Sequence, residues 1–230
     1  MQVSLLRESL TSFAGALAGG WSSGLEPVYG AIASWQSNWP PASPEGLPAA
    51  LEASLQSARS RALWQGHAYA PKEVVVELAR FAPEMMNLAF GRLFAADDVG
   101  LDDRLRQFNF YLDEVAAEWR RAHPARTLST HYHDDYRAPS LYAACRHPAT
   151  HAYFEGEHYL AALRVLRARD VGAVAEPARF AKSVKVVMTF AAKTEGLAAA
   201  DLSRRRDDEY RATAATLASE YFRFLAGAGG

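Results

Sequence analysis

The chain has 230 residues, of which 50% are hydrophobic and 22% are charged, and its formal net charge is −1. A chain of this length can bury a sizeable core, either as one domain or as two closely packed domains. The near-neutral charge is too mild to predict nucleic-acid binding by itself, so any such function depends on a local patch. The single cysteine, Cys145, excludes an internal disulfide and a zinc site made only of cysteines.

Residues 9–20 form a weakly apolar, Ala- and Leu-containing stretch near the N-terminus. It superficially resembles a signal peptide, but the positive region that begins such a peptide is missing, so we expect an amphipathic first helix. No stretch approaches the roughly 20 apolar residues that a membrane span needs. We therefore expect a cytoplasmic protein that does not bind a membrane.

Helical periodicity dominates the pattern of apolar residues along the chain. Ser43 with Pro44 predicts a helix start, and Pro71 and Pro83 open two further helices. The strongest pattern follows one face of a helix through Leu101, Leu105, Phe108, Leu112, Val115 and Trp119. A similar pattern predicts a last helix from Tyr210 to Leu225. Alternating strands and internal repeats are missing, so we predict an all-α fold of roughly eight to ten helices.

The Pro-rich stretch at residues 39–44 cannot continue a helix and is the expected boundary within the chain. We accordingly expect an N-terminal helical segment at 1–40 and a main helical domain at 44–226. One continuous domain over 1–226 is the alternative. The glycine-rich residues 227–230 are expected to be a tail or a linker.

The polar segment from His131 to Pro148 concentrates three His, two Asp, two Arg and three Tyr in a chain that is otherwise mostly amphipathic helix. Imidazole and carboxylate groups at this spacing suit a transition metal. The same residues before Pro139 also suit turn formation and helix capping by Asp134 and Asp135. We favour capping, and we predict no metal, no other cofactor and no catalytic residue.

Cationic residues provide the other candidate function. Arg126 lies among the arginines of this region, while Arg179, Lys182 and Lys185 recur every third residue along a helix flank. Tyrosines interleaved with these arginines can stack on bases if they are exposed; the alternative is a solvated helical face with core tyrosines. The candidate nucleic-acid contacts are Arg120, Arg121, His131, Tyr132, His133, Tyr136, Arg137 and Arg146.

Other motifs argue against an enzyme or a separate basic site. The sequence lacks both the Walker A loop and the G-x-G-x-x-G loop that bind nucleotides. Gly20-Trp-Ser-Ser-Gly24 matches a nucleophile elbow in letters, but that motif needs a preceding strand and a helix is predicted there. Residues 204–206 are three arginines followed by the acidic residues 207–209, which predicts a capped, neutralised helix start.

Several short stretches occur in an order that resembles a known family. They are Phe81-Ala-Pro-Glu84, Gly91-Arg-Leu-Phe94, Leu101-Asp-Asp-Arg-Leu-Arg-Gln-Phe108, His131-Tyr-His-Asp-Asp-Tyr-Arg137, Pro139-Ser-Leu-Tyr142 and Arg146-His-Pro148. Together with the tail after Asp201, they make residues 81–226 similar to the helical region at the N-terminus of McrB-type restriction proteins. That region precedes an AAA+ GTPase module, which this chain lacks.

The resemblance implies separate roles for the N-terminal part, the GTPase module and the nuclease subunit. In such systems the AAA+ module hydrolyses GTP, a separate nuclease subunit cuts DNA, and the N-terminal part is usually the specificity element. We therefore expect a non-enzymatic recognition domain of a GTP-dependent antiviral restriction system. Its expected partners are DNA, including cytosine-modified DNA, the AAA+ GTPase module and the nuclease subunit, and it can form a homo-oligomer. The alternatives are a protein interaction module that docks a nuclease or AAA+ partner and, less favoured, a metal-dependent enzyme that uses the His/Asp cluster.

Overall fold

The computed structural model describes residues 1–56, 60–64, 69–95, 100–128 and 130–228. Within these ranges the chain is all-α, as predicted, and its helix count slightly exceeds the expected range. The α-helices are α1 (Val3–Ala18), α2 (Glu26–Asn38), α3 (Leu47–Ser54), α4 (Arg61–Trp64), α5 (Pro71–Phe81), α6 (Pro83–Leu93), α7 (Leu101–Ala122), α8 (Arg137–Arg146), α9 (Gly156–Val165), α10 (Pro177–Ala191), α11 (Leu197–Ser203) and α12 (Thr216–Ala228). A short 3₁₀ turn, Pro44–Gly46, precedes α3.

Prolines begin several helices because the missing amide hydrogen costs nothing in the first turn. Pro71 opens α5 and Pro83 opens α6, which confirms both predicted starts. The long helix α7 has two aspartates in its first turn and two arginines in its last, in the arrangement that the helix dipole favours. Its apolar face, from Leu105 to Trp119, is buried, as the periodicity predicts.

The buried side chains form two hydrophobic clusters. We call the first the α7 cluster, since α7 packs there with α2, α3, α5, α6 and α8. We call the second the α12 cluster, which contains α1, α9, α10 and the start of α11. The helices α1 and α2 therefore contribute to different clusters, although they are neighbours in the chain. The expected boundary at residues 39–44 and the expected glycine-rich tail stay predictions.

Polar and aromatic contacts join the two clusters. Tyr136 packs against both of them. The carboxylate of Glu220 on α12 is fully buried and accepts a hydrogen bond of 2.7 Å from the Tyr29 hydroxyl on α2. The guanidinium of Arg204, which follows α11, pairs with the same carboxylate. These contacts set the relative position of the helices of the two clusters.

Within the part of the chain that the structure describes, the helices are too short or too polar to cross a membrane.

Candidate functional site

The His131–Arg137 segment lies between α7 and α8 and is hydrogen-bonded to both. The Nε2 of His131 donates to the Asp113 carboxylate on α7 at 3.1 Å. The Nδ1 of His133 donates to the His131 carbonyl, and its Nε2 accepts the Tyr142 hydroxyl of α8 at 3.1 Å. Asn109 of α7 donates to the His133 carbonyl at 3.2 Å. The two histidines thus brace the segment against the helices on either side.

Burial decides what these histidines can contact. His131 is 2% exposed and His133 is fully buried. Burial, with a smaller electrostatic contribution from nearby His131, lowers the pKa of His133 to about 3. The His133 ring is therefore neutral at pH 7, and in this arrangement neither imidazole presents an edge to a nucleic acid.

The two aspartates of the segment have different roles. Asp135 accepts a 3.0 Å hydrogen bond from the amide of Arg137, the first residue of α8, and pairs with its guanidinium at 2.5 Å. It therefore satisfies the first free amide of the helix from the position before the N-cap residue, Tyr136, and the helix begins two residues before Pro139. Asp134 is exposed, and its carboxylate lies 3.8 Å from Nε2 of His131. This distance is too long for a hydrogen bond, and Asp134 does not cap the helix.

A cleft of about 610 Å³ opens beside this segment, between the starts of α8 and α9. Four carboxylates line it, those of Asp134, Asp135, Glu155 and Glu157, against the cationic side chain of Arg137 and the imidazole of His158. Tyr136 also lines the cleft, half-buried and with a left-handed φ of 61°. Asp135 pairs with Arg137 and Glu155 pairs with Arg223, so the negative charge left in the cleft is that of Asp134 and Glu157, and this charge repels phosphate groups. This surface is therefore a poor place for the DNA backbone.

The four candidate arginines do not form one patch. Arg120 and Arg121 lie in the last turn of α7, where Arg120 Nε donates to the Leu128 carbonyl at 2.7 Å. Arg137 stacks on the Tyr69 ring, 4.6 Å from its centroid. Arg146 ends α8, and at a rise of about 1.5 Å per residue it lies about 13 Å along the helix axis from Arg137. Tyr132 is half-buried and meets the Tyr69 ring edge-on.

A cavity of about 720 Å³ lies between α3, α5 and the end of α7. Most of its charged side chains are paired within the protein. Arg80 contacts Glu52 at 2.5 Å, and Arg126 contacts Glu77 at 3.0 Å while it covers the Trp119 ring. These pairs leave little uncompensated charge with which to attract an ionic ligand.

The most basic part of the chain lies elsewhere. Residues 158–193 contain 7 Lys/Arg and 2 Asp/Glu, a net charge of +5, which leaves −6 for the remainder of a chain with net charge −1. This segment comprises most of α9, the connection after it and α10. We define the basic band as Arg167, Arg169, Arg179, Lys182, Lys185 and Arg146. Within the described residues, these side chains have no carboxylate at salt-bridge distance.

The band runs from the connection after α9 along α10, and the His147–His151 pair relates it to the end of α8, since the Lys185 charge acts on His151 and the Arg146 charge acts on His147. Arg179, Lys182 and Lys185 follow one flank of α10, about 9 Å from first to last at about 1.5 Å per residue. The Lys185 charge is close enough to His151 to contribute to its lowered pKa. His151 in turn lies 5.5 Å from His147, ring to ring, and His147 follows Arg146 in the chain.

The histidines beside the band are not cationic at neutral pH. Burial, with smaller electrostatic contributions from Arg104, His147 and Lys185, lowers the pKa of His151 to about 4. Arg104 donates to Nε2 of His151 at 3.2 Å, and Nδ1 donates to the Thr150 hydroxyl at 2.8 Å. Burial also lowers the pKa of His147. The band therefore carries arginine and lysine charges only.

The sequence indicates part of this surface through the spacing of Arg179, Lys182 and Lys185, but that pattern does not include Arg167 or Arg169. Over residues 101–230 as a whole the net charge is only +2, which hides the basic segment. A count over a window of about the length of two helices finds the segment directly. The missed signal was therefore in the composition and not in a motif.

Among the described residues, His, Cys, Asp and Glu side chains do not gather in a group of three or more that could hold a metal ion. Comparison with protein-family models, with curated proteins and with solved structures finds no match for this chain. The function must therefore be inferred from the geometry of the chain's own residues.

Proposed function

We propose that this chain is a non-enzymatic DNA-binding recognition domain that uses the basic band to hold the phosphate backbone. The observation that carries the proposal is the band itself, six cationic side chains with no carboxylate partner among the described residues, in a chain of net charge −1. The resemblance to the N-terminal region of McrB-type proteins supplies the proposed context. In that context the domain serves a GTP-dependent restriction system for modified DNA, with an AAA+ GTPase module and a nuclease as partners.

The spacing of the band suits a nucleic-acid backbone. The flank of α10 from Arg179 to Lys185 spans about 9 Å, and each strand of duplex DNA carries a phosphate about every 3.4 Å along the axis. Two or three phosphates of one strand can therefore face the flank. Such contacts supply affinity and salt dependence but no sequence information. Recognition of a modified base would require additional contacts to the base.

The proposal changes which residues contact DNA. Arg146 remains a contact because it lies at the end of the band. Arg137 is paired with Asp135 beside an acidic cleft, so we place it outside the DNA surface. Arg120 and Arg121 lie at the end of α7, and they serve as the comparison site in the experiment.

The salt dependence of binding tests the proposal. We would measure fluorescence anisotropy with plain and cytosine-modified duplexes between about 50 and 200 mM salt. The double variant Lys182→Gln/Lys185→Gln should lower the log–log slope by about 1.8, because each lost phosphate contact removes about 0.9. Arg120→Gln/Arg121→Gln removes the same charge and should leave the slope unchanged.

The opposite pattern, with the slope lost only in the Arg120/Arg121 variant, would move the DNA surface to the end of α7. Absence of binding to either duplex at the lowest salt would reject DNA recognition by this chain. Tighter binding of the modified duplex would support a role in specificity, whereas equal binding would restrict the domain to holding DNA.

A second candidate, a protein interaction module, is favoured by exposed apolar side chains on α6. Met85 and Leu88 are 40% and 44% exposed and lie three residues apart along the helix. With Pro83 they line a cavity of about 460 Å³ that also contains the acidic Glu45 and Glu84. Association through this surface should persist at high salt, since apolar burial does not depend on charge, whereas DNA binding should not.

A further inference from the structure

One end of the basic band is concave. A cavity of about 460 Å³ lies between the connection that follows α9, the first turn of α10 and the start of the chain. It is lined by Met1, Gln2, Arg167, Arg169 and Arg179. Three arginine side chains thus line one small space that no carboxylate of the described residues lines. Uncompensated charge of this density indicates an anion as the ligand.

The end of α9 places the first of these arginines. The amide of Ala168 donates to the Leu163 carbonyl and the amide of Arg167 donates to the Arg164 carbonyl, which is the hydrogen-bond pattern of a Schellman helix end. That pattern needs a left-handed residue, usually glycine, and here it is Arg167 with φ 48°. A long cationic side chain at this position carries a backbone cost of about 1 kcal/mol. Such a cost is typical of functional positions.

Arg179 holds the connection in shape. Its guanidinium donates to the Arg169 carbonyl at 2.5 Å and to the Asp170 carbonyl. Carbonyl groups accept these bonds without cancelling the charge, so Arg179 both orders the connection and keeps the cavity cationic. Arg167 and Arg169 are exposed, and no described acidic side chain pairs with them. These two side chains are free to close around a ligand.

We propose that this cavity binds a terminal phosphate, the phosphomonoester of a DNA end or of a nucleoside monophosphate. The inference rests on the proposed function, since it identifies the group that one end of the basic band takes. A phosphomonoester carries about −1.5 to −2 charges and three free oxygens, which match three guanidinium groups. An internal phosphodiester has a single charge and continues in both directions, so a concave site suits it less. The cavity volume lies within the range of small-ligand sites.

Matched oligonucleotides test the inference directly. We would measure the affinity of the full chain for single-stranded and duplex DNA with a 5′-phosphate and for the same DNA with a 5′-hydroxyl, each labelled at the 3′ end. We expect the phosphorylated form to bind about tenfold more tightly at low salt, as charged hydrogen bonds of ordinary strength would give. Arg167→Gln/Arg169→Gln should abolish this ratio. Arg179 stays unchanged because it orders the connection.

The matched control is Lys182→Gln/Lys185→Gln, which removes two charges from the band outside the cavity. It should weaken the binding of both oligonucleotides and keep their ratio. Circular dichroism melts of all variants check that folding is unchanged. A ratio of one in the unaltered chain, with clear binding to both DNAs, would overturn the terminal-phosphate inference and leave the proposed function standing.

Binding of free nucleotides distinguishes a DNA end from a nucleoside monophosphate as the source of the phosphate. It also separates the proposed DNA recognition from the proposed phosphate site. Nucleoside monophosphate and the corresponding nucleoside would be compared by calorimetry with the full chain and with Arg167→Gln/Arg169→Gln. If DNA does not bind but the monophosphate binds the unaltered chain only, the proposed function fails and the cavity is a nucleotide site. If neither DNA nor the monophosphate binds, both proposals fail.

Discussion

At the scale of single residues, the His131–Arg137 segment shows how a cluster of polar residues can be structural. His131 and His133 point inward and bond to α7 and α8. The sequence indicates that imidazoles and carboxylates are concentrated here. It does not show which way the side chains point, because that depends on the left-handed φ of Tyr132 and Tyr136 on either side of the turn. DNA contact by the residues of this segment stays a prediction. The burial of the histidines and the nearby carboxylates do not favour it.

Helix capping was partly predictable at this scale. The sequence predicts that Asp134 and Asp135 cap or brace the helix that begins near Pro139. Asp135 does so by accepting the amide of Arg137 from the position before the N-cap residue, whereas the Asp134 carboxylate lies near His131 instead. The difference arises because α8 begins at Arg137, which leaves only one of the two aspartates in reach of a free amide.

His133 should make folding stability depend on pH. The pKa of the buried ring is about 3, and an unfolded histidine titrates near 6.5, so between these values only the unfolded chain binds the proton. The stability is fully present above pH 6.5 and falls as the pH drops towards 3. One proton gives a slope of up to about 1.4 kcal/mol per pH unit. Urea unfolding from pH 7.5 to pH 4 measures this slope.

Two variants isolate the contribution of His133. His133→Asn should be less stable at pH 7.5 but should show a flatter pH dependence, reduced by about one proton. Tyr142→Phe removes the hydroxyl that donates to Nε2 while the imidazole stays buried, so its slope should persist. An unchanged slope in His133→Asn would show that other groups cause the acid sensitivity.

At the scale of helices, residues 204–209 show where local charge patterns mislead. The sequence predicted a neutralised helix start at the three arginines. Instead α11 ends at Ser203, and Arg204 and Arg205 turn inward to the carboxylates of Asp201 and Glu220. Glu220 lies on α12, so the pairing crosses between helices and cannot be read from neighbours in the chain.

The start of α12 was also predicted too early. The apolar pattern begins at Tyr210, whereas the helix begins at Thr216. The amide of Tyr210 donates to the Tyr29 carbonyl at 3.1 Å, and the amide of Ala215 donates to the Pro148 carbonyl at 2.7 Å. These tertiary bonds replace helical ones. By contrast, α7 was predicted well because its pattern is long and depends on one buried face alone.

Removing the charge of Glu220 should destabilise the protein strongly. Its buried carboxylate accepts hydrogen bonds from Ser23 and Tyr29 and pairs with Arg204, so Glu220→Gln leaves a buried guanidinium partly uncompensated. Breaking a buried pair on one side costs about 3 to 5 kcal/mol. Chemical denaturation at neutral pH measures the loss.

The matched control for Glu220 is Asp207→Asn. Asp207 is 98% exposed and also pairs with an arginine, Arg211, at 2.5 Å. An exposed pair contributes little, so the change in unfolding free energy should stay below about 0.5 kcal/mol. Similar effects of the two substitutions would mean that the buried pair contributes no more to stability than the exposed one.

At the scale of the whole molecule, charge is unevenly distributed along the sequence, but the net charge of the chain does not reveal this. The all-α class follows from periodicity, and the structure confirms it. The basic band depends on three parts of the chain, the connection after α9, the flank of α10 and the end of α8, which tertiary packing brings together. The acidic cleft beside Asp134 lies next to residues that the sequence predicts as DNA contacts. Positive and negative side chains thus gather around different cavities, and such an uneven distribution of charge favours one orientation for a polyanion.

The charge of the band should not change between pH 6.5 and pH 8, and DNA affinity at fixed salt should therefore be constant over that range. The pKa of His151 is about 4, and the pKa of His147 is also lowered. Both rings lie near cationic side chains, which help to keep them neutral. These side chains are Arg104 of α7, Arg146 of α8 and Lys185 of α10. Only arginine and lysine charges then meet the phosphates. Anisotropy titrations at pH 6.5, 7.2 and 8.0 in the same salt concentration should give equal affinities and equal salt slopes. A steep rise in affinity towards pH 6.5 would instead show that a histidine gains its proton on the DNA surface, and it would assign the contact to the histidines rather than to the flank of α10.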